Sequence, residues 1–228
     1  MAYGKRLQKI IVFILICGIL VHIRNLIGGV MTAQNQRKTY TWKDFQEFPN
    51  KEQFEMIDGE ILAMCPFPSV KHQDLVLGFG SCLKEFFKAK SCKPFMSPLD
   101  VKLSDSSVVQ PDVFVVCESG KIKNSHIDGA PDLAIEVVSP TSVAHDRMRK
   151  LHLYARHGVK EYWIVSTNPG SVEVLSLQES GHYLIDHVYS RNDILKSPLF
   201  ANLQISLKTI FPDDLVFEVH DQFAEYRI

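Results

Sequence analysis

The hydrophobic and polar positions along the chain fall into alternating short strand-like and longer helix-like stretches. Thr41 to Phe48 reads as a short helix, with Thr41 capping it and Asp44 completing a loose capping box. Phe54–Ile57 and Glu60–Met64 flank Asp58-Gly59, the two-residue signal of a type I′ hairpin. Pro66 to Ser69 is a turn, and Ser69 caps a helix running to about Lys90. Its apolar stripe of Leu75, Val76, Phe79, Leu83, Phe86 and Phe87 is wide enough to pack on a sheet. Phe95 to Leu103 forms the next strand. Two β-branched runs follow, Val109–Val116 and Leu133–Val138, separated by a polar loop from Glu118 to Gly129. A helix opened by Ser139 or Thr141 and closed by Gly158 comes next, with Met148, Leu151 and Ala155 spaced to face the sheet. Lys160–Ser166 is a strand, and Val172–Leu177 with His182–Tyr189 makes a hairpin about Glu179-Ser180-Gly181. The apolar tail segments up to Phe211 can close a sheet edge or form a dimer surface. The pattern is that of an α/β domain with a central mixed β-sheet flanked by helices.

Each of the two β-branched runs carries one acid in an apolar setting, Asp112 at the start of the first and Glu136 inside the second. A carboxylate in a buried strand is costly unless it is paired or binds a metal. If the two strands are neighbours, both acids converge on one point and can hold a divalent cation such as Mg²⁺ together with water and a substrate phosphate. The plain alternative is a cap at Asp112 and an ion pair at Glu136. The helix that follows brings Arg147, Lys150 and Tyr154 on a stripe beside its apolar face, within reach of the end of the Glu136 strand. Two acids, a lysine and a basic helix are the working parts of a metal-dependent nuclease.

The segments Gln110-Pro111-Asp112, Pro131-Asp132-Leu133-Ala134-Ile135-Glu136-Val137-Val138-Ser139-Pro140, Asp146 through Lys150, and Tyr154 through Val165 resemble the restriction-endonuclease-like proteins abundant in cyanobacteria. These Uma2-type proteins fall within the PD-(D/E)XK nuclease superfamily. Ile57-Asp58-Gly59-Glu60-Ile61 and His72-Gln73 are similar to the same group, and the resemblance runs from about Thr39 to Phe211. It implies a restriction-endonuclease-like core and Mg²⁺-dependent (or Mn²⁺-dependent) hydrolysis of DNA; the chain itself is expected to form a homodimer. The implied metal ligands are Asp112, Glu136 and the carbonyl of Val137. Lys150 is the implied catalytic cation and Glu60 an auxiliary acid, while His72, Gln73, Arg147 and Tyr154 would contact substrate. The superfamily's lysine ordinarily stands two residues after the glutamate, where this chain has Val138. In this group the lysine resembles one moved to the following helix, here Lys150, whose length lets its ammonium return to the same place. The rival class is a nuclease-like module that binds DNA or regulates without turnover.

At 228 residues the chain suits one domain with an appended segment. Its net charge is −1, but Lys5, Arg6, Lys9 and Arg24 lie in the first thirty residues, which hold no acid. Beyond them 21 basic residues face 26 acidic ones, which excludes a protein that coats nucleic acid non-specifically. Contact with DNA must then be local, and the helix with Arg147, Arg149, Lys150, Arg156 and Lys160 nearby is the best basic patch. Five cysteines without a Cys-x-x-Cys pair argue against a disulfide framework or a zinc site, and for the reducing cytoplasm.

Residues 1–30 are a separate element, with residues 31–228 forming the domain. Lys5, Arg6 and Lys9 precede Ile10–Val21, an apolar run of 12 residues, short beside the roughly 20 that a spanning helix needs. Two readings stand: an N-terminal anchor in the inner membrane with the domain facing the cytoplasm, or an upstream extension ahead of a start at Met31.

Overall fold

A computed structural model describes residues 38–64, 68–138 and 143–211, with only the backbone of 143–146. The apolar run of residues 1–30, the caps expected at Ser139 or Thr141, the side chains of His145 and Asp146, and the chain after Phe211 lie outside it. Among the described residues, no helix is long and apolar enough to cross a membrane.

Helix α1 (Trp42–Gln46) forms because Thr41 and Asp44 cap each other's backbone N–H groups. Strands β1 (Phe54–Ile57) and β2 (Glu60–Ala63) close a hairpin in which Asp58 and Gly59 both have positive φ, 51° and 78°. That is the geometry for which Asp-Gly is suited. Helix α2 (Val70–Phe86) begins at Ser69, whose side chain accepts from the His72 N–H at 3.1 Å.

The stretch expected as one strand over Phe95–Leu103 is two, β3 (Lys93–Met96) and β4 (Val101–Ser104). Pro98 interrupts it with a cis Ser97–Pro98 bond, and the halves join different sheets. Next come β5 (Ser107–Val109), β6 (Val113–Val116) and the short β7 (Ile127–Asp128). β8 (Leu133–Val138), helix α3 (Val143–His157) and β9 (Glu161–Ser166) form a right-for-length βαβ crossover, with β8 and β9 parallel. β10 (Ser171–Leu177) and β11 (Tyr183–Ser190) make the expected hairpin. A ribbon of β12 (Ile194–Lys196) and β13 (Gln204–Ser206) leads to a last turn of helix, α4 (Leu207–Ile210).

The main sheet has six strands in the order β11-β10-β9-β8-β6-β3, and a five-stranded sheet runs β2-β1-β5-β4-β7. Alternation along β6, β8 and β9 divides the main sheet's side chains between two cores. Val113, Val115, Leu133, Ile135 and Trp163 pack with Leu75, Phe79 and Leu83 of α2. Phe114, Val116, Ala134, Tyr162 and Ile164 pack with Leu153 and Tyr154 of α3 and with Ile57 and Val101 of the smaller sheet. The α2 stripe is as expected, and it sits so close that a Cβ on Gly80 would meet Met96 Sδ at 2.2 Å.

Two expectations are corrected. Met148 is 53% exposed, and the inner face of α3 is instead Lys150, Leu153 and Tyr154. The helix is turned toward its paired polar groups, which the apolar spacing of Met148, Leu151 and Ala155 did not reveal. In addition, Cys92 and Cys117 form a disulfide. Antiparallel pairing sets Lys93 against Val116, so the next residues outward meet across the strands, a relation invisible in cysteine spacing.

Candidate active site at the sheet end

The register of β6 on β8 places Val113 opposite Ile135, and one step further it sets Asp112 across from Glu136. Glu136 has the parity of Ala134 and points to the α3 side, whereas Asp112 stands just before β6, at the sheet end. β6 pairing ends here, and the Asp112 carboxylate takes over: its Oδ2 accepts from the Val137 N–H at 2.7 Å. The same oxygen lies 3.2 Å from His72 Nε2, at the start of α2. His72 is thus held by a helix cap on one side and meets a carboxylate on the other.

Glu136 is buried, and its Oε1 accepts from Lys150 Nζ at 3.1 Å and from the Tyr154 hydroxyl at 2.6 Å. Lys150 and Tyr154 stand one turn apart on α3, so one helix face supplies both donors. The ammonium of Lys150 is also 3.1 Å from Glu55 Oε1 on β1. Glu55 accepts in turn from the Gln110 N–H at 3.0 Å, and Gln110 Nε2 donates to Asp100 at 2.9 Å. Glu55, Gln110, Glu136 and Lys150 are all buried, a concentration of charge that survives only because each group is paired.

Burial pushes the Glu136 pKa up to about 8; Lys150 and the Tyr154 hydrogen bond pull it down, while Asp112 and Glu55 push it further up. Tyr154 is raised well above its ordinary value, first by burial and then by the charge of Glu136. Perturbed groups gathered in one place are the usual mark of a functional site.

The other expected site residues are placed differently. Arg147 pairs with Glu173 on β10. Gln73 is exposed in the first turn of α2, and its N–H bonds the Ser69 carbonyl. Glu60 lies on the same hairpin face as Glu55 but at the exposed end, opposite Ile57. The acid that this hairpin brings to Lys150 is Glu55. Sequence reasoning missed it because a single acid in a four-residue strand carries no signal; only its alternation with buried Met56 could have placed it. The basic run is also largely committed: Arg156 pairs with Asp58 at 2.7 Å and Lys160 with Asp132 at 2.7 Å.

Among the described residues, no three His, Cys, Asp or Glu side chains gather as a complete metal cage. Two carboxylates at cross-strand positions suit a hard cation that keeps most of its coordination for water and substrate.

Residues 42–208 match the Uma2 family, described as "Putative restriction endonuclease". The chain belongs to that family. An uncharacterized protein of the cyanobacterium Synechocystis is 27% identical over 146 residues, covering 63% of this chain and 74% of that protein. The Uma2 chain is also similar to a crystal structure from Anabaena variabilis titled as a putative nuclease belonging to DUF820. The TM-score is 0.61 at 24% identity, over 75% of this chain and 97% of that one. The likeness shows a shared α/β fold.

Proposed function

We propose that this Uma2 protein is a Mg²⁺-dependent endonuclease that hydrolyses DNA phosphodiester bonds. What supports the reading is Asp112, one residue before β6, set across from Glu136 of β8, with Lys150 reaching Glu136 from α3. Asp112 and Glu136 would hold the cation, with the carbonyl of Val137 beside them. A cation so placed lowers the pKa of bound water and offsets charge on the scissile phosphate. The chain's own groups supply the rest. Lys150 brings a compact positive charge to the carboxylates and, at the phosphate, orients the attacking water or offsets developing charge. Tyr154 fixes the Glu136 carboxyl group, and Glu55 keeps the ammonium beside it. His72 meets the Asp112 carboxylate from the first turn of α2 and would position substrate there. A DNA substrate would suit a domain that works in the cytoplasm.

Plasmid nicking by the full chain with Mg²⁺ or Mn²⁺ is the test. Cleavage by the parent should fall at least about 100-fold in Asp112→Ala, Glu136→Ala and Lys150→Ala, each a group acting on the reacting centre. A parent that neither cleaves nor binds metal would sink the proposal and favour a nuclease fold that works without turnover.

A further inference from the structure

We propose that the outer edge of β11 pairs with the β11 of a second copy, joining two main sheets across a two-fold axis. β11 is an eight-residue strand and one edge of the six-stranded sheet. The opposite edge, β3, is blunted by four-residue length, Pro94 and Lys93, the usual protections of a free edge. β11 carries no proline and no lysine. It exposes Leu184, Ile185 and Val188 at 57%, 49% and 54%. Among the described residues, nothing pairs with its outer side.

The occupant follows from the register. On β10, β11 is paired Tyr189 to Val172, Val188 to Glu173 and His187 to Val174, then Ile185 to Leu175 and Leu184 to Ser176. Asp186 is the extra residue of a bulge. The bulge shifts the alternation, so that Ile185 and Val188, three apart, share the α3 face of the sheet, and Leu184 and Tyr189 share the α2 face. In an unbulged strand those pairs would lie on opposite faces. An antiparallel strand paired with its own copy must match like faces across the axis. The register that overlaps all eight residues sets Tyr183 against Ser190, Leu184 against Tyr189, Ile185 against Val188, and Asp186 against His187. Leu184 then meets Tyr189 and Ile185 meets Val188, each on its own face, and the central acid meets an imidazole twice, once on each side of the axis. Such self-complementarity is what an isologous interface requires.

Sedimentation of the full chain over a concentration series, with melting curves to confirm folding, tests the pairing. It is independent of the catalytic proposal, because no residue of the Asp112–Glu136 cluster lies on β11. The parent should dimerise reversibly. His187→Asp, which sets like charges in opposition, should raise the dissociation constant at least tenfold, and adding Asp186→Lys to it should restore dimerisation. Mixing Ile185→Cys chains with Val188→Cys chains should give an oxidised mixed dimer that neither forms alone. A parent that is monomeric throughout, including one whose edge is covered by its own residues 212–228, overturns the proposal. So does a dimer whose affinity these substitutions leave unchanged.

Discussion

Glu136 has its carboxyl pKa raised to about 8 by burial, against an ordinary value of 4.5. The folded state therefore holds its proton more tightly than the unfolded state does. Its contribution to stability is fully present below pH 4.5 and is lost as pH rises through 8. In metal-free protein, urea unfolding of Glu136→Gln should show a flatter pH dependence than the parent between about pH 5 and 9, and the variant should be the more stable at the alkaline end. Equal slopes for the two would mean that Glu136 ionises as it does in water. Lys150 has the opposite character. Lys150→Met removes the cation shared by Glu55 and Glu136 and leaves two buried acids without it. The expected cost is about 3–5 kcal/mol near pH 8, read from the shift in urea midpoint. Glu55→Gln in the same background should recover part of it.

At the scale of elements, those whose causes are local were readable from the chain. The Thr41–Asp44 capping box and the Asp58-Gly59 hairpin stand where residue preferences put them. Thr41→Ala should destabilise by about 1 kcal/mol in thermal unfolding. Gly59→Ala should cost at least about as much: φ is +78°, and a Cβ would come within 3.1 Å of Thr39 Cβ and 3.2 Å of the Tyr40 carbonyl. A neutral result at Gly59 would show that the hairpin tolerates a different turn. Elements whose form depends on distant partners were not readable. The phase of α3 is set by acids on β1 and β8, so apolar spacing chose Met148 where burial chose Lys150 and Tyr154. Glu55 was silent for the same reason, because its partner lies far along the chain. Asp112 and Glu136 were visible because acids inside β-branched runs are costly enough to be conspicuous.

For the molecule as a whole, the cations of α3 and its surroundings are tied to acids of five other elements or turns: Arg147 to Glu173, Lys150 to Glu55 and Glu136, Arg156 to Asp58, and Lys160 to Asp132. The helix therefore fastens the two sheets more than it advertises a basic surface. DNA binding by the proposed nuclease should accordingly show a shallow salt dependence, with few phosphates neutralised. A steep slope would reveal a basic surface beyond these pairs.

The charges of the buried cluster are divided by the loop between β6 and β8, where Ser119, Gly120 and Asn124 are exposed. Glu55, His72 and Asp112 precede it; Glu136, Lys150 and Tyr154 follow it. A chain cut in that loop would yield two pieces, parting Glu55 from Lys150 and the Asp112 carboxylate from the Val137 N–H. The cut also divides both hydrophobic cores between the halves, so the pieces should be disordered apart and gain helix together on mixing. That makes the domain a natural candidate for fragment complementation, in which the reunion of two tethered halves is read out by the return of whatever this site does.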